Sequence, residues 1–256
     1  MATSKLEEKM MRLPGVCDVR RDNVLSSLEL LDSGKGLPDR IISGLAYPAQ
    51  SFALESFFIK NDVAEAKHWF YVSALASMVA MERYGKDELW VGAPLRFAML
   101  SDCKALQERM SRFTYTLREE RLAKGDFDLT VRLQQRLILG DEVGARADYE
   151  AFLPSLEKKT YSRFGADMLF FEALLTRDWP KLENAFAQLL DKKMVRYRNK
   201  DSIPGIGEWL SHPAMWYAKL AWIKGMEIEI DHPMVPMALL PVAPLPEYKS
   251  PWLCLE

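Results

Sequence analysis

Three histidines, His68, His212 and His232, are the side chains best suited to chemistry. A histidine works as a general base or a metal ligand only when a second group orients it or shares the metal. Glu65 precedes His68 by three residues and Glu229 precedes His232 by three, which is the spacing used in di-metal helical bundles. Such a site needs both pairs on facing helices plus two more glutamates, and the second pair directly precedes a proline. We therefore predict no catalytic residue, no metal site and no cofactor.

Four aspartates recur at regular intervals, each after an apolar stretch and a polar turn. Asp62, Asp102, Asp141 and Asp178 are spaced 40, 39 and 37 residues apart. Apolar residues follow each aspartate at the fourth and eighth positions, which is helical spacing. A carboxylate site is one interpretation, but stacked repeats would hold the aspartates one repeat apart. We interpret all four as N-caps, because a short carboxylate accepts hydrogen bonds from the unpaired N–H groups of a helix start.

This repeat predicts an all-α fold of stacked antiparallel helical hairpins, an α-solenoid-like bundle with an extended Pro-rich C-terminal tail. Each hairpin has a first helix that ends before the aspartate and a second helix that begins at it. The predicted first helices are residues 50–60, 93–100, 127–139 and 162–176, and the second helices are residues 62–84, 102–113, 141–157 and 178–194.

We predict a single helical domain over residues 1–256. Residues 1–35 form an N-terminal arm of one or two short helices, and residues 45–195 form the four hairpins. Residues 207–256 supply a capping helix, from Ser211 to Gly225, and the tail. Six prolines in residues 233–256 forbid a helix there, so we expect the tail to be extended and to pack through Trp252 and Leu253.

Composition excludes several classes of function. The chain is 49% hydrophobic and 27% charged, with a net charge of −2, so it lacks the basic surplus of a general nucleic-acid binder. No apolar run approaches the roughly 18 residues that a membrane span needs. We expect no secretory signal, because residues 1–13 lack a long apolar region, and the three cysteines have no zinc or disulfide pattern. We expect a cytoplasmic protein with reduced thiols, no membrane contact and no direct nucleic-acid contact.

Two charged clusters are candidate partner-binding surfaces. The acidic cluster would suit a basic partner such as a nuclease domain, although neighbouring arginines would also make it an ordinary solvated face. Its members are Glu119, Glu120, Asp126, Asp128, Asp148 and Glu150. The basic cluster, Arg196, Tyr197 and Arg198 with nearby lysines, could contact phosphate or a protein carboxylate surface. We interpret the basic cluster as a mobile charged loop between helices.

The end of the chain resembles a known family. The hairpin at residues 174–179 (Leu-Leu-Thr-Arg-Asp-Trp) is followed by a long apolar helix, a Gly turn, a short acidic stretch and a Pro-bounded Leu-Leu segment at residues 211–240. These features resemble immunity family 49 of bacterial polymorphic-toxin systems, which includes immunity proteins for type VI or related secretion effectors. The resemblance covers residues 45–240. It implies a protein without chemistry of its own that binds and neutralises a cognate toxin effector, a nuclease being the expected toxin.

Two alternatives remain open beside this immunity function. A helical-repeat adaptor would bind several proteins or peptides, although the spacing of 37 to 40 differs from the regular 34 of tetratricopeptide repeats. An enzyme of an unrecognised helical class would need carboxylates and histidines brought together across stacked helices.

Overall fold

The computed structural model describes residues 5–85, 92–114, 118–201 and 205–252. These residues form α-helices and short 3-10 helices and contain no strand, which confirms the predicted all-α class. Contacts divide the chain into two compact units, residues 1–89, 94–106 and 243–256 in the first and residues 90–93 and 107–242 in the second. A single domain therefore stays a prediction. Within the ranges given above, no helix is both long enough and apolar enough to cross a membrane.

The first unit is built on three long helices, and two of them form a hairpin. A 28-residue helix replaces the short helices predicted for the N-terminal arm, with Pro14 inside it. The helices of this unit are α1 (Lys5–Asp32), α2 (Pro38–Gly44), α3 (Ala46–Phe58), α4 (Val63–Tyr84) and most of α5 (Gly92–Ser101). Helices α3 and α4 form the first predicted hairpin, and Asp62 caps α4 by accepting a hydrogen bond from the Glu65 N–H at 2.8 Å.

The second unit holds the third and fourth predicted hairpins. Its helices are most of α6 (Lys104–Ser111), then α7 (Arg118–Ala123), α8 (Asp128–Leu139), α9 (Glu142–Phe152), α10 (Gly165–Thr176), α11 (Trp179–Leu189), α12 (Lys192–Arg198) and α13 (Ala214–Ile223). Asp141 caps α9 through the Gly144 N–H, and Asp178 caps α11 through the Lys181 N–H. Three of the four predicted caps are therefore confirmed.

Asp102 is not a helix cap, so this part of the repeat prediction is wrong. Its backbone is left-handed, with φ at 59°, and its buried carboxylate lies 2.7 Å from the ammonium of Lys67. The same carboxylate accepts a hydrogen bond from the Ala243 N–H of the tail. Helix α6 begins two residues later, at Lys104.

The described part of the tail, residues 241–252, contains no α-helix. Lys67 donates a hydrogen bond to the Ala243 carbonyl, and the Tyr248 hydroxyl donates to the Ser101 carbonyl at 2.8 Å. The Trp252 ring lies 5.3 Å from that of Trp69. Leu253, predicted to pack with Trp252, and Cys254, the last of the three cysteines, lie outside the described residues.

Candidate partner-binding surface

Lys192–Arg198 form a helix, α12, rather than the predicted mobile loop. The second helix of the fourth hairpin ends at Leu189, so the helix predicted over residues 178–194 is really two helices. Asp191 accepts hydrogen bonds from the Lys193 N–H at 2.9 Å and the Met194 N–H at 3.3 Å. Because this carboxylate caps the N–H groups at the start of α12, the basic residues that follow are ordered by helix geometry.

Arg198 anchors α12 to the core and does not face solvent. Its guanidinium binds the buried carboxylate of Asp167 through two hydrogen bonds of 2.7 and 3.0 Å. The Tyr217 hydroxyl donates a third hydrogen bond to Asp167, and the Arg198 guanidinium carbon lies 4.5 Å from the centre of the Phe164 ring. Arg198 was predicted to bind a partner, but its side chain is buried and forms an ion pair with Asp167 in the interior.

The end of α12 is fixed by a second polar anchor. The Asn199 side chain donates a hydrogen bond to the Gly207 carbonyl and accepts one from the His212 N–H, both at 2.7 Å. The His212 ring in turn accepts a hydrogen bond from the Trp216 indole at 2.9 Å. The hydrogen bonds of Arg198 and Asn199 thus fix the position of α12 on its buried side, and the exposed side of the helix has a defined position.

Four cations on this outer face have no acidic partner. Lys192, Lys193 and Arg196 are exposed on α12. Arg163 is exposed too and contacts this helix at Tyr197. Among the residues that the structure describes, no carboxylate lies within ion-pair distance of any of the four. Lys192 and Arg196 are one helical turn apart and therefore neighbours on the helix surface. We call these four residues the basic face.

An open groove of about 490 Å³ lies at the edge of the basic face, with Arg163 and Lys193 in its lining. The Arg163 guanidinium carbon lies 4.4 Å from the centre of the Tyr197 ring, a cation–π contact that orients both side chains. The groove is lined by Arg163, Gln188, Asp191, Lys193, Met194 and Tyr197. Tyr197 was predicted as a site residue and lies in this groove. Arg163 and Gln188 were not predicted, and nothing in the sequence links Arg163 to a helix that begins 29 residues later.

The acidic cluster is largely neutralised inside the protein. Asp148 is buried and accepts hydrogen bonds of 3.0 Å from Arg132, with Arg136 at 3.2 Å. Asp128 is also buried, and its carboxylate lies 3.1 Å from the Arg121 guanidinium. These two carboxylates, predicted to face a partner, are committed to interior ion pairs.

The remaining acidic residues are divided between paired and exposed positions. Asp126 accepts a hydrogen bond from the Tyr161 hydroxyl at 2.7 Å and lies 3.3 Å from Arg121. Burial acts to raise the pKa of Asp126, but the hydrogen bonds from Tyr161, the Phe127 N–H and Arg121 lower it below its ordinary value. Glu120 pairs with Lys124 on the surface of α7. Glu119 and Glu150 are exposed. The described residues therefore do not gather a large acidic surface here.

A second groove, of about 560 Å³, lies in the first unit. Phe52, Trp69 and Trp252 contribute its aromatic walls. Its charged rim is paired internally, Arg21 with Glu55 and Lys60 with Glu65. The rim therefore presents no free charge for a ligand, in contrast to the basic face.

The histidines take structural positions. Burial lowers the pKa of His68 and of His232 below the ordinary value, so both rings are neutral near pH 7. The ring nitrogen Nδ1 of His232 accepts a hydrogen bond from the Met234 N–H. Within the described ranges, no group of three histidine, cysteine, aspartate or glutamate side chains could hold a metal ion.

A helical framework with interior ion pairs and a free basic face around an aromatic groove has the features of a protein-binding scaffold. The model of the family "Immunity protein 49" matches residues 128–239, so this segment is similar to that family and the predicted resemblance is confirmed over these residues. The match includes α8 to α13, and with them the basic face, but not the first two hairpins that the resemblance also covered. No curated protein and no solved structure matches the chain.

Proposed function

We propose that this protein is an immunity protein that binds a cognate toxin effector in the cytoplasm and neutralises it without chemistry of its own. The observation that carries the proposal is the family match over residues 128–239. This segment supplies the helices of the third and fourth hairpins, α12 and the helix α13 that packs beneath them. The family assignment and a free surface for a partner thus fall in the same part of the chain.

The surface of this segment supports binding rather than catalysis. Interfaces draw much of their binding energy from tyrosine and arginine in pockets, and Tyr197 and Arg163 meet in the groove of the basic face. A scaffold whose helices are fixed by interior ion pairs loses little conformational freedom on binding, which favours affinity.

The cytoplasm as the place of action fits the cysteines that the structure describes. Cys17 and Cys103 are both buried as free thiols. Unpaired thiols are typical of proteins kept in a reducing compartment. A nuclease remains the toxin class that the family resemblance leads us to expect.

Co-expression tests the proposal directly. The toxin genes encoded beside the gene for this chain should each be induced in a sensitive host, with and without this protein. We expect one of them to stop growth alone and to be harmless when this protein is present. Affinity capture from the same cells should recover that toxin as a single dominant partner, whereas an adaptor would recover several proteins and give no protection.

A further inference from the structure

The second unit has an uneven distribution of free charge. The predicted acidic positions are mostly paired: Asp126 and Asp128 with Arg121, Asp148 with two arginines, and Glu120 with Lys124. The four cations of the basic face have no such partner among the described residues. A partner that meets the basic face therefore finds charges that it can neutralise, while a partner at the acidic positions would have to compete with ion pairs already formed.

The basic face also has the chemistry of an interface centre. Met194 and Tyr197 are half-buried between the cations and give the groove apolar walls. The cation–π contact with Arg163 already orients the Tyr197 ring. The ring therefore loses little conformational entropy when a partner binds. The one carboxylate of the groove, Asp191, is occupied by the two N–H groups that it caps.

We propose that the basic face is the docking surface for the toxin, and that the toxin contacts it through a carboxylate-rich surface with a side chain inserted into the groove beside Tyr197. This inference rests on the proposed function. A protein partner fits better than a nucleic acid, because the chain has a net charge of −2 and the groove is short and partly apolar. Nucleic-acid binding instead draws on long basic surfaces that follow a phosphate backbone.

Charge reversal separates the docking surface from the proposed function. The test variant is Lys192→Glu with Arg196→Glu, and its matched control is Lys35→Glu with Arg112→Glu, the same kind of charge reversal at two exposed cations that line neither groove. We expect the test variant to lose protection and to bind the purified toxin about 100-fold more weakly, because like charges across an interface oppose docking. The control should protect as the unmodified protein does.

Salt and a compensating change in the toxin test the stated chemistry. Toxin binding by the unmodified protein should weaken as the NaCl concentration rises, since exposed charges are screened. Reversal of toxin surface carboxylates to lysine, one pair at a time, should yield a pair that restores binding to the test variant. Tyr197→Ala should weaken binding by at least about tenfold, as expected of an aromatic at an interface centre.

Each result has a defined meaning. Thermal unfolding shows whether the test variant is folded. A second variant, Lys192→Ala with Arg196→Ala, removes the two charges without reversing them and repeats the test in a milder form. If the unmodified protein protects and both basic-face variants protect equally well, the docking inference is wrong and the proposed function stands. If the unmodified protein protects against none of the toxins, the docking inference and the proposed function are both wrong. The docking inference would also be wrong if the unmodified protein binds a DNA duplex of about 20 base pairs and the test variant does not bind it.

Discussion

Arg198 and Asp167 form a two-armed ion pair in the interior of the second unit, with N···O distances of 2.7 and 3.0 Å. The pair joins α12 to the first turn of α10, 31 residues earlier in the chain. Because the basic residues of the same helix point outward, the ion pair fixes the position of the surface on which binding is proposed.

Asp167→Ala should destabilise the protein strongly. The change leaves the Arg198 guanidinium buried without its counter-charge and removes the acceptor of the Tyr217 hydroxyl. We expect the free energy of unfolding to fall by about 3–5 kcal/mol, measured by urea denaturation. Arg196→Ala, an exposed cation on the same helix, is the control and should change it by no more than about 0.5 kcal/mol. Equal effects of the two variants would contradict the buried ion pair.

The aspartates of the repeat should divide into two energetic classes. Asp178→Ala removes a cap at an exposed helix start, so we expect a loss of about 1 kcal/mol, and Asp178→Asn should be nearly neutral because asparagine caps equally well. Asp102→Ala leaves Lys67 buried without its carboxylate and should lower the free energy of unfolding by about 3–5 kcal/mol. Urea denaturation of the three variants measures this. A loss of only about 1 kcal/mol at Asp102 would mean that it acts as a cap after all.

Acid should weaken the second unit in part through Asp126. Its pKa is lower in the folded protein than in the unfolded chain, so the unfolded chain binds more protons as the pH falls. The stabilisation is complete above the ordinary pKa of an aspartate, about 4, and is lost as the pH falls through the lower folded value. Asp126→Asn should therefore show a shallower loss of stability than the unmodified protein between about pH 5 and pH 2. Glu150→Gln serves as an exposed control, and identical slopes for Asp126→Asn and the unmodified protein would contradict this role.

Cys17 should be inert to alkylation while the protein is folded. Burial, with a smaller effect of Glu55, raises the pKa of its thiol from 9.0 to about 12. Since only the thiolate reacts, the folded protein should modify at pH 8 about a thousandfold more slowly at this residue than an ordinary thiol does. Iodoacetamide labelling followed by peptide mass spectrometry measures the rate of modification of Cys17 in native buffer and in about 8 M urea, which unfolds most proteins. Rapid labelling of Cys17 in native buffer would show that it is accessible.

Local sequence signals predicted the helix framework well. Asp62, Asp141 and Asp178 cap the helices that follow them, because a cap depends only on the next three residues. Asp102 shares the same pattern, but its partners are Lys67, 35 residues earlier, and the backbone of residue 243. Neither partner is visible in the local sequence, which is why the repeat alone assigned this residue the wrong role.

The candidate surface was harder to predict for the same reason. Arg132 and Asp148 are 16 residues apart and meet only because α8 and α9 pack against each other. Tertiary pairing of this kind neutralises Asp128 and Asp148, two of the carboxylates predicted to form an acidic surface. The basic cluster was visible in the sequence, but the break at Leu190 and the cap at Asp191 that make it a helix were not recognised.

Protection of living cells is the most direct measurement of the central claim. Growth should be followed after induction of each neighbouring toxin gene, in cells that contain this protein and in cells that do not. The immunity function predicts that one toxin stops growth only where this protein is absent, and that Lys192→Glu with Arg196→Glu removes the protection. Equal killing by every toxin in the presence and absence of the protein would contradict it.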